Sequence, residues 1–330
     1  MSTETTVASA ASAASAASAA STDPSASEAT VIARTFEDPA PTRGVRAVGA
    51  RGSARRRARN GGRLLAAWLV TLAFVLPIYL ALSSAFKSQE QILANPLGLP
   101  APFTLDNIVT ALDRPDHLVQ AGLLNSVVVT LLTLVLLIPL ASAVSFWISE
   151  RTPVLRGILL AVFALGLMVP PQVVLQPIVS LLHAVGLQNS YPGLILSNIG
   201  GGYMSFAVFV YVGFLRTVPR EVIEAARVDG AGELRIWWTI VMPLVRPATA
   251  TVGIFLGLWV WNDFLNPLFI LGPLQGQTIT TGIYQSLGTY STDYGQLFGI
   301  MFLAAIIPVV GYLVTQREFI HGLMSGASKG

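Results

Sequence analysis

Six apolar runs dominate this 330-residue chain, at residues 64–86, 123–147, 157–182, 193–215, 247–271 and 296–316. A helix needs roughly 20 apolar residues to cross the hydrocarbon core of a bilayer. Charged residues make up only 11% of the chain, against about 25% in soluble domains, so the runs are read as membrane spans rather than as core helices. Pro170, Pro171 and Pro177 interrupt the third, and Gly200-Gly201-Gly202 the fourth. Backbone breaks at membrane depth survive where neighbouring helices or a wet cavity satisfy the freed groups. The expected fold is an all-α integral membrane protein, a packed bundle of six transmembrane helices.

Orientation follows from the basic residues, which favour the cytoplasmic side. Nine arginines lie between Arg34 and Arg63. Arg151 and Arg156 separate spans two and three, and Arg216, Arg220, Arg227, Arg235 and Arg246 separate spans four and five. Arg317 and Lys329 follow span six, leaving only Lys87 and Arg114 on the other side. The bias places both termini and the loop between spans four and five in the cytoplasm.

Two domains are expected. Residues 1–60 read as a tail, first Ala/Ser-rich with a Ser-Ala-Ala period from Ser9 to Ser21, then Arg-rich. The repeat has no apolar face to bury, so the tail is expected to be disordered. It does not read as a cleaved signal peptide, because its basic cluster lies near its end and the following run is long enough to span. The arginines from Arg51 to Arg63 fit anionic membrane lipid headgroups better than nucleic acid, since a span starts at Leu64. Residues 61–330 are the membrane domain.

Several chemistries are excluded. Cysteine is absent, which removes disulfides, thiolate metal sites and a cysteine nucleophile. Neither lysine, Lys87 nor Lys329, completes a GxxxxGK[ST] run, so the chain is not a P-loop ATPase. No catalytic, cofactor-binding or metal-binding residues are assigned, and the chain is not read as an enzyme.

The most informative polar segment lies between spans four and five. Pro219 suits the first turn of a helix and Glu221 meets the positive end of its dipole. Val222, Ile223, Ala225, Ala226 and Val228 give a small, mostly apolar surface, and Gly230 stands where a helix of about ten residues ends in a left-handed cap. A second short helix, about 232–240, returns the chain to the membrane, with Trp237 and Trp238 at headgroup level. Pro243 and Pro247 break the chain before span five. Small alanines allow close approach of a partner, and Glu224 and Asp229 offer charge for pairing. By itself this could be an ordinary surface helix-turn-helix.

The full spacing is more specific. Glu224-Ala225-Ala226, three residues, Gly230, nine residues, Ile240, one residue, Met242-Pro243 resembles the EAA signature of ABC importer permeases, with Met242 in place of the usual leucine. Asn125-Ser126, Val169-Pro170-Pro171-Gln172, Gln176-Pro177, the stretch from Trp261 to Leu268 and the ending from Gln316 to Gly326 narrow the resemblance to the carbohydrate-uptake class. There the chain is similar to the second permease subunit of maltose-type transporters. The resemblance covers about residues 64–330. It implies a pair of ATP-binding cassette subunits, a sister permease subunit, an extracytoplasmic solute-binding protein and a sugar substrate. It implies that Glu224, Ala225, Ala226, Asp229 and Gly230 contact the ATPase or set the shape it docks on. Glu224 is then the residue to pair with an ATPase arginine, and the segment from Arg317 lies near the same ATPase face.

Asp263 is the one acid well inside an expected span, where an unpaired charge costs roughly 3 kcal/mol. Asn262 and Asp263 either flank the translocation path or act as polar glue near a kink at Pro267. Pro171, Gln172 and Gln176, beside Pro170, form either a polar element lining the route or a packing kink. Amides suit sugar hydroxyls because each both donates and accepts. Loops 87–122 and 273–295 fall outside the membrane, and the second has a composition suited to docking a binding protein.

Two other readings compete. The same architecture could import a polyamine, phosphate or peptide. A secondary transporter or membrane enzyme acting alone would need further intramembrane ionisable groups, which Asp263 by itself does not supply.

Overall fold

The computed structural model describes residues 50–272, 277–287 and 293–327. The Ser-Ala-Ala repeat and most of the expected tail lie outside these residues. The chain divides into two units, 1–68 and 69–330. Among the described residues, the first unit contributes the start of α1 (Ala50–Ser84), so the arginine-rich stretch is helical from Ala50 onward.

In the second unit every regular element among the described residues is helical. Short helices α2 (Gln89–Ala94) and α3 (Asp106–Leu112) precede the 32-residue α4 (Leu118–Ser149). Then come α5 (Pro153–Met168), α6 (Pro171–Ala184), α7 (Tyr191–Gly200) and α8 (Gly202–Leu215). The polar loop holds α9 (Arg220–Val228), α10 (Glu233–Ile236), a π-helical turn (Trp237–Val241) and α11 (Met242–Leu244). The chain ends with α12 (Arg246–Trp261), α13 (Leu265–Ile270), α14 (Ile279–Gln285) and α15 (Tyr294–Ala327).

Three helical stretches are long and apolar enough to cross a membrane unaided: Arg63–Ser84, Leu118–Ser149 and Tyr294–Val314. Three further crossings arise only if bent pairs each count as one span. α5 and α6 meet at 98°, α7 and α8 at 44°, and Glu233–Leu244 meets α12 at 78°. The first two bends fall at the expected prolines and glycines. Pro170 and Pro171 lack the N–H groups that would continue the helix, and Gly201 adopts an extended conformation between α7 and α8.

Span five departs from expectation. α12 ends at Trp261, and Asn262, Asp263 and Phe264 lie between two helices rather than inside one. The break therefore precedes Pro267, which sits in the opening turn of α13, where a missing N–H costs little.

The core of the unit lies between α4, α8 and α12, where Leu137, Val208, Tyr211 and Leu256 are fully buried. Tyr211 donates from its hydroxyl to Thr249 Oγ1 at 3.0 Å, satisfying a polar atom inside the bundle. Gly166 lets α5 approach α8 closely: a Cβ there would meet Ser205 Oγ. Leu69, Leu72, Phe74 and Ile78 on α1 are exposed, as an apolar solvent permits.

Around the end of α1, Asn107 Nδ2 donates to the carbonyls of Lys87 (2.7 Å) and Ala85 (3.1 Å). The Lys87 ammonium is buried and donates to Pro96 O at 2.7 Å. Burial holds its pKa below the ordinary lysine range. Arg114 is paired to Asp116 at 2.6 Å and donates to Gln296 at 2.7 Å. Both basic residues that broke the charge bias are thus absorbed by local partners. Asn125 and Ser126 tie α4 to the chain entering α14: Asn125 Nδ2 donates to Gln277 O (3.0 Å), and Ile279 N–H donates to Ser126 Oγ (2.9 Å).

Candidate functional site

Helix α9 presents two unlike faces. Ile223 and Ala226, three residues apart, turn inward and join the cluster that holds Leu137, Tyr211 and Leu256. Glu224, Ala225, Asp229 and Gly230 are exposed, as are Val222 and Val228. Of the five expected coupling residues, four therefore share the open surface, and Ala226 is a packing residue beneath it.

The end of α9 is a Schellman cap. Gly230 N–H donates to Arg227 O and Ala231 N–H to Ala226 O, both at 3.0 Å. Gly230 has φ +81°, which L residues rarely adopt, while the space around its missing Cβ is open. The requirement for glycine here is conformational, not steric.

Arg227 holds the loop in place. Its Nη2 lies 2.5 Å from Glu150 Oε2 in the α4–α5 connection, and its Nε lies 2.8 Å from Glu233 Oε1 at the start of α10. These hydrogen bonds, first to Glu233 and then to Glu150, push the guanidinium pKa up, and Arg227 pulls the Glu233 carboxyl below its usual range. In the sequence Arg227 reads only as a topogenic charge, since nothing local marks a partner 77 residues away.

The return limb is tied to α4 as well. Trp237 Nε1 donates to Ser142 Oγ at 3.1 Å, and Ser142 Oγ also lies 3.1 Å from Met242 Sδ. Trp237 is half-buried, so of the tryptophan pair only Trp238 is free to meet headgroups. A proline two residues past the π turn explains the local widening. Pro243 cannot donate to the carbonyl four residues back and would clash with it in a regular helix.

A second site lies where the bent helix pairs meet. A cavity of about 560 Å³ is lined by Gly166, Val169 and Pro171 from the α5–α6 bend, Gly200 to Gly202 from the α7–α8 bend, and Trp259 and Asn266 on either side of the α12–α13 break. Asn198 and Tyr203 complete its polar wall. Of the five expected pathway residues, Pro171 lines this cavity. Gln172 and Gln176 are exposed on α6 outside it. Asn262 is exposed and donates to Leu258 O at 2.8 Å, back onto the last turn of α12. Asp263 is half-buried and accepts from Asn266 N–H (3.2 Å) and Asn266 Nδ2 (2.7 Å), capping the start of α13. Its own backbone carbonyl accepts from Thr280 Oγ1 at 2.7 Å.

Among the described residues no cluster of His, Asp and Glu has metal-ligand geometry. Three long apolar helices and three bent apolar pairs, among the described residues, mark an integral membrane protein.

The comparisons agree. Residues 137–317 match the family described as binding-protein-dependent transport system inner membrane component. The chain is 32% identical over 268 residues to the melibiose/raffinose/stachyose import permease protein MelC of Bacillus subtilis, covering 81% of this chain and 95% of that one. It is 32% identical over 276 residues to the diacetylchitobiose uptake system permease protein NgcG of Streptomyces coelicolor, covering 83% and 90%. Its fold matches a bacterial ABC transporter involved in import of the acidic polysaccharide alginate, with TM-score 0.64 at 19% identity over 81% of this chain and 97% of that one. The chain belongs to the binding-protein-dependent transport system inner membrane component family, and is a transport permease of the cell membrane rather than an enzyme.

Proposed function

We propose that this chain is one permease subunit of an ATP-driven, binding-protein-dependent sugar importer, forming half of the channel through which a neutral di- or oligosaccharide enters the cytoplasm. Relatives named for melibiose, raffinose and diacetylchitobiose support the substrate class. The bent pairs are counted as single spans, giving six, with both termini and the α9 loop cytoplasmic as the arginine bias requires. The membrane domain is 61–330 and the tail 1–60.

One observation carries the mechanism: α9 is exposed on one face, fused to the α4–α8–α12 core on the other, and fixed at its end by Gly230 and Arg227. ATP-driven closure of a cassette dimer would push on Glu224, Ala225 and Asp229. Ile223, Ala226 and the Arg227–Glu150 pair would carry that push to α4 and α8 without the loop flexing. A sister permease completes the channel, and a solute-binding protein delivers sugar from the far side. Gln172, Gln176, Asn262 and Asp263 keep their proposed place along the route, with Asp263 shaping the break before α13.

The test is uptake of labelled melibiose, raffinose and diacetylchitobiose by cells lacking this gene, rescued with wild type or Glu224→Lys. Loss of one sugar, restored by wild type alone, is the expected result. No loss for any sugar would instead favour a different solute, and full rescue by Glu224→Lys would remove Glu224 from the coupling surface.

A further inference from the structure

The cavity at the bends carries more than a general route. Asn198 is 2% exposed and lines it, donating from Nδ2 to Thr133 Oγ1 at 3.3 Å. Its Oδ1 is buried and has no hydrogen-bond partner among the described residues. A hydroxyl both donates and accepts, so Thr133 can serve either end of the amide, and one amide atom stays open in both orientations. An unsatisfied buried polar atom is unfavourable in the absence of a ligand or water.

Part of the wall is aromatic. Tyr203 and Trp259 pack with ring centroids 6.1 Å apart at 30°, and Trp259 is 43% exposed. Such a wall offers an apolar face to the C–H side of a pyranose ring, while amides and hydroxyls meet its rim. Ser197, Ser205 and Asn266 supply further polar groups on the lining. No lysine, arginine, aspartate or glutamate lines the cavity, and Asp263 lies just behind it, hydrogen-bonded to the lining residues Tyr203 and Asn266, so the cavity offers no counter-charge to phosphate or an acidic sugar. Its volume falls in the range of about 300–1,000 Å³ typical of small-ligand pockets.

We propose that this subunit carries its own neutral-sugar subsite, in which the Asn198 carboxamide bonds a sugar hydroxyl and the Trp259–Tyr203 pair supports the ring. The subsite lies at the three helix breaks because non-helical backbone at membrane depth must line a wet or ligand-filled space. This rests on the sugar-importer reading above, and it makes the chain a selecting element rather than only half of a wall.

The test compares wild type, Asn198→Leu and Trp259→Leu in cells lacking the native gene, with initial uptake of labelled melibiose, raffinose and diacetylchitobiose. Binding-protein-stimulated ATP hydrolysis is measured on the purified, reconstituted assembly. Asn198→Leu is expected to lower uptake of the transported sugar about tenfold, the effect of losing one well-placed hydrogen bond worth about 1.4 kcal/mol. Trp259→Leu is expected to change the ratio between sugars, and stimulated ATP hydrolysis to persist in both. Wild-type rates and ratios in both variants would overturn the subsite, as would a parallel fall of uptake and ATP hydrolysis, which marks a packing role. If Asn198→Leu does not reach the membrane, the partly exposed Trp259 carries the same decision alone. Failure of wild type to restore any sugar overturns the importer reading itself, a result separate from these.

Discussion

Arg227 Nη2 and Glu150 Oε2 lie 2.5 Å apart across 77 residues of sequence, joining α9 to the connection between α4 and α5. The same guanidinium holds Glu233 on the next helix. One side chain thus locks three segments. Arginine suits the task because its planar fork serves two carboxylates at once.

Replacing Arg227 with Gln is therefore expected to reduce sugar uptake several-fold at unchanged membrane level. Thermal stability should change little, since partly exposed ion pairs contribute about 0–1 kcal/mol each. Uptake assays and melting curves on the same preparations separate the two effects. Unchanged uptake would show that the Ile223 and Ala226 contacts transmit motion by themselves.

Gly230→Ala should cost about 1–2 kcal/mol, the strain of a left-handed L residue, without a clash, because nothing lies within 4 Å of the added Cβ. Gly230→Trp adds bulk to the exposed end of α9, the proposed docking face, and is expected to abolish uptake with the protein still in the membrane. Normal uptake by that variant would remove Gly230 from the coupling surface.

Trp237→Phe keeps an aromatic group but deletes the indole donor to Ser142 together with the pyrrole half of the ring. Ser142→Ala is expected to lose about 1 kcal/mol of stability, a typical net hydrogen bond, and Trp237→Phe somewhat more, with a measurable fall in uptake. The double variant should lose less than the sum of the two single ones. Additive losses would show that the two residues act separately.

Gly299→Ala should destabilise the outer end of the bundle, because its Cβ would lie 2.7 Å from the carbonyl oxygen of Asn107. That helix turn cannot yield by rotating a side chain. A loss of about 1–3 kcal/mol is expected, the usual cost of overpacking, read as a lower melting temperature in detergent.

Acid should weaken the loop. The pKa of Glu233 is lowered in the fold by Arg227, so its contribution is full above the unfolded carboxyl range. It fades as pH falls through the lower folded value. Melting temperature measured below about pH 4.5 should drop more steeply in wild type than in Arg227→Gln, where the shift has been removed. Equal acid limbs would show that Glu233 contributes nothing to stability.

Much of this was legible in the chain. Hydropathy marks spans directly, since lipid tolerates few charges, and proline marks a helix break by lacking a donor, as at Pro170. Gly230 was readable as a cap because only glycine reaches that φ without strain. The break at Asn262–Phe264 was not readable: Pro267, the obvious breaker, sits at a helix start, and Asp263 acts as a cap three residues before Asn266. Cap geometry depends on where the flanking helices are held, which Trp261 and Thr280 help decide through distant packing.

Composition, charge bias and the Glu224–Pro243 spacing determined the class of protein, its expected orientation and the loop proposed to couple it to an ATPase, because each depends on local chemistry or on the bilayer as solvent. Only the tertiary structure decided that Arg227 reaches Glu150, that Trp237 turns inward to Ser142, and that Asn198, Tyr203 and Trp259 face one cavity. Those are meetings between residues far apart in the chain, set by how bent helices pack.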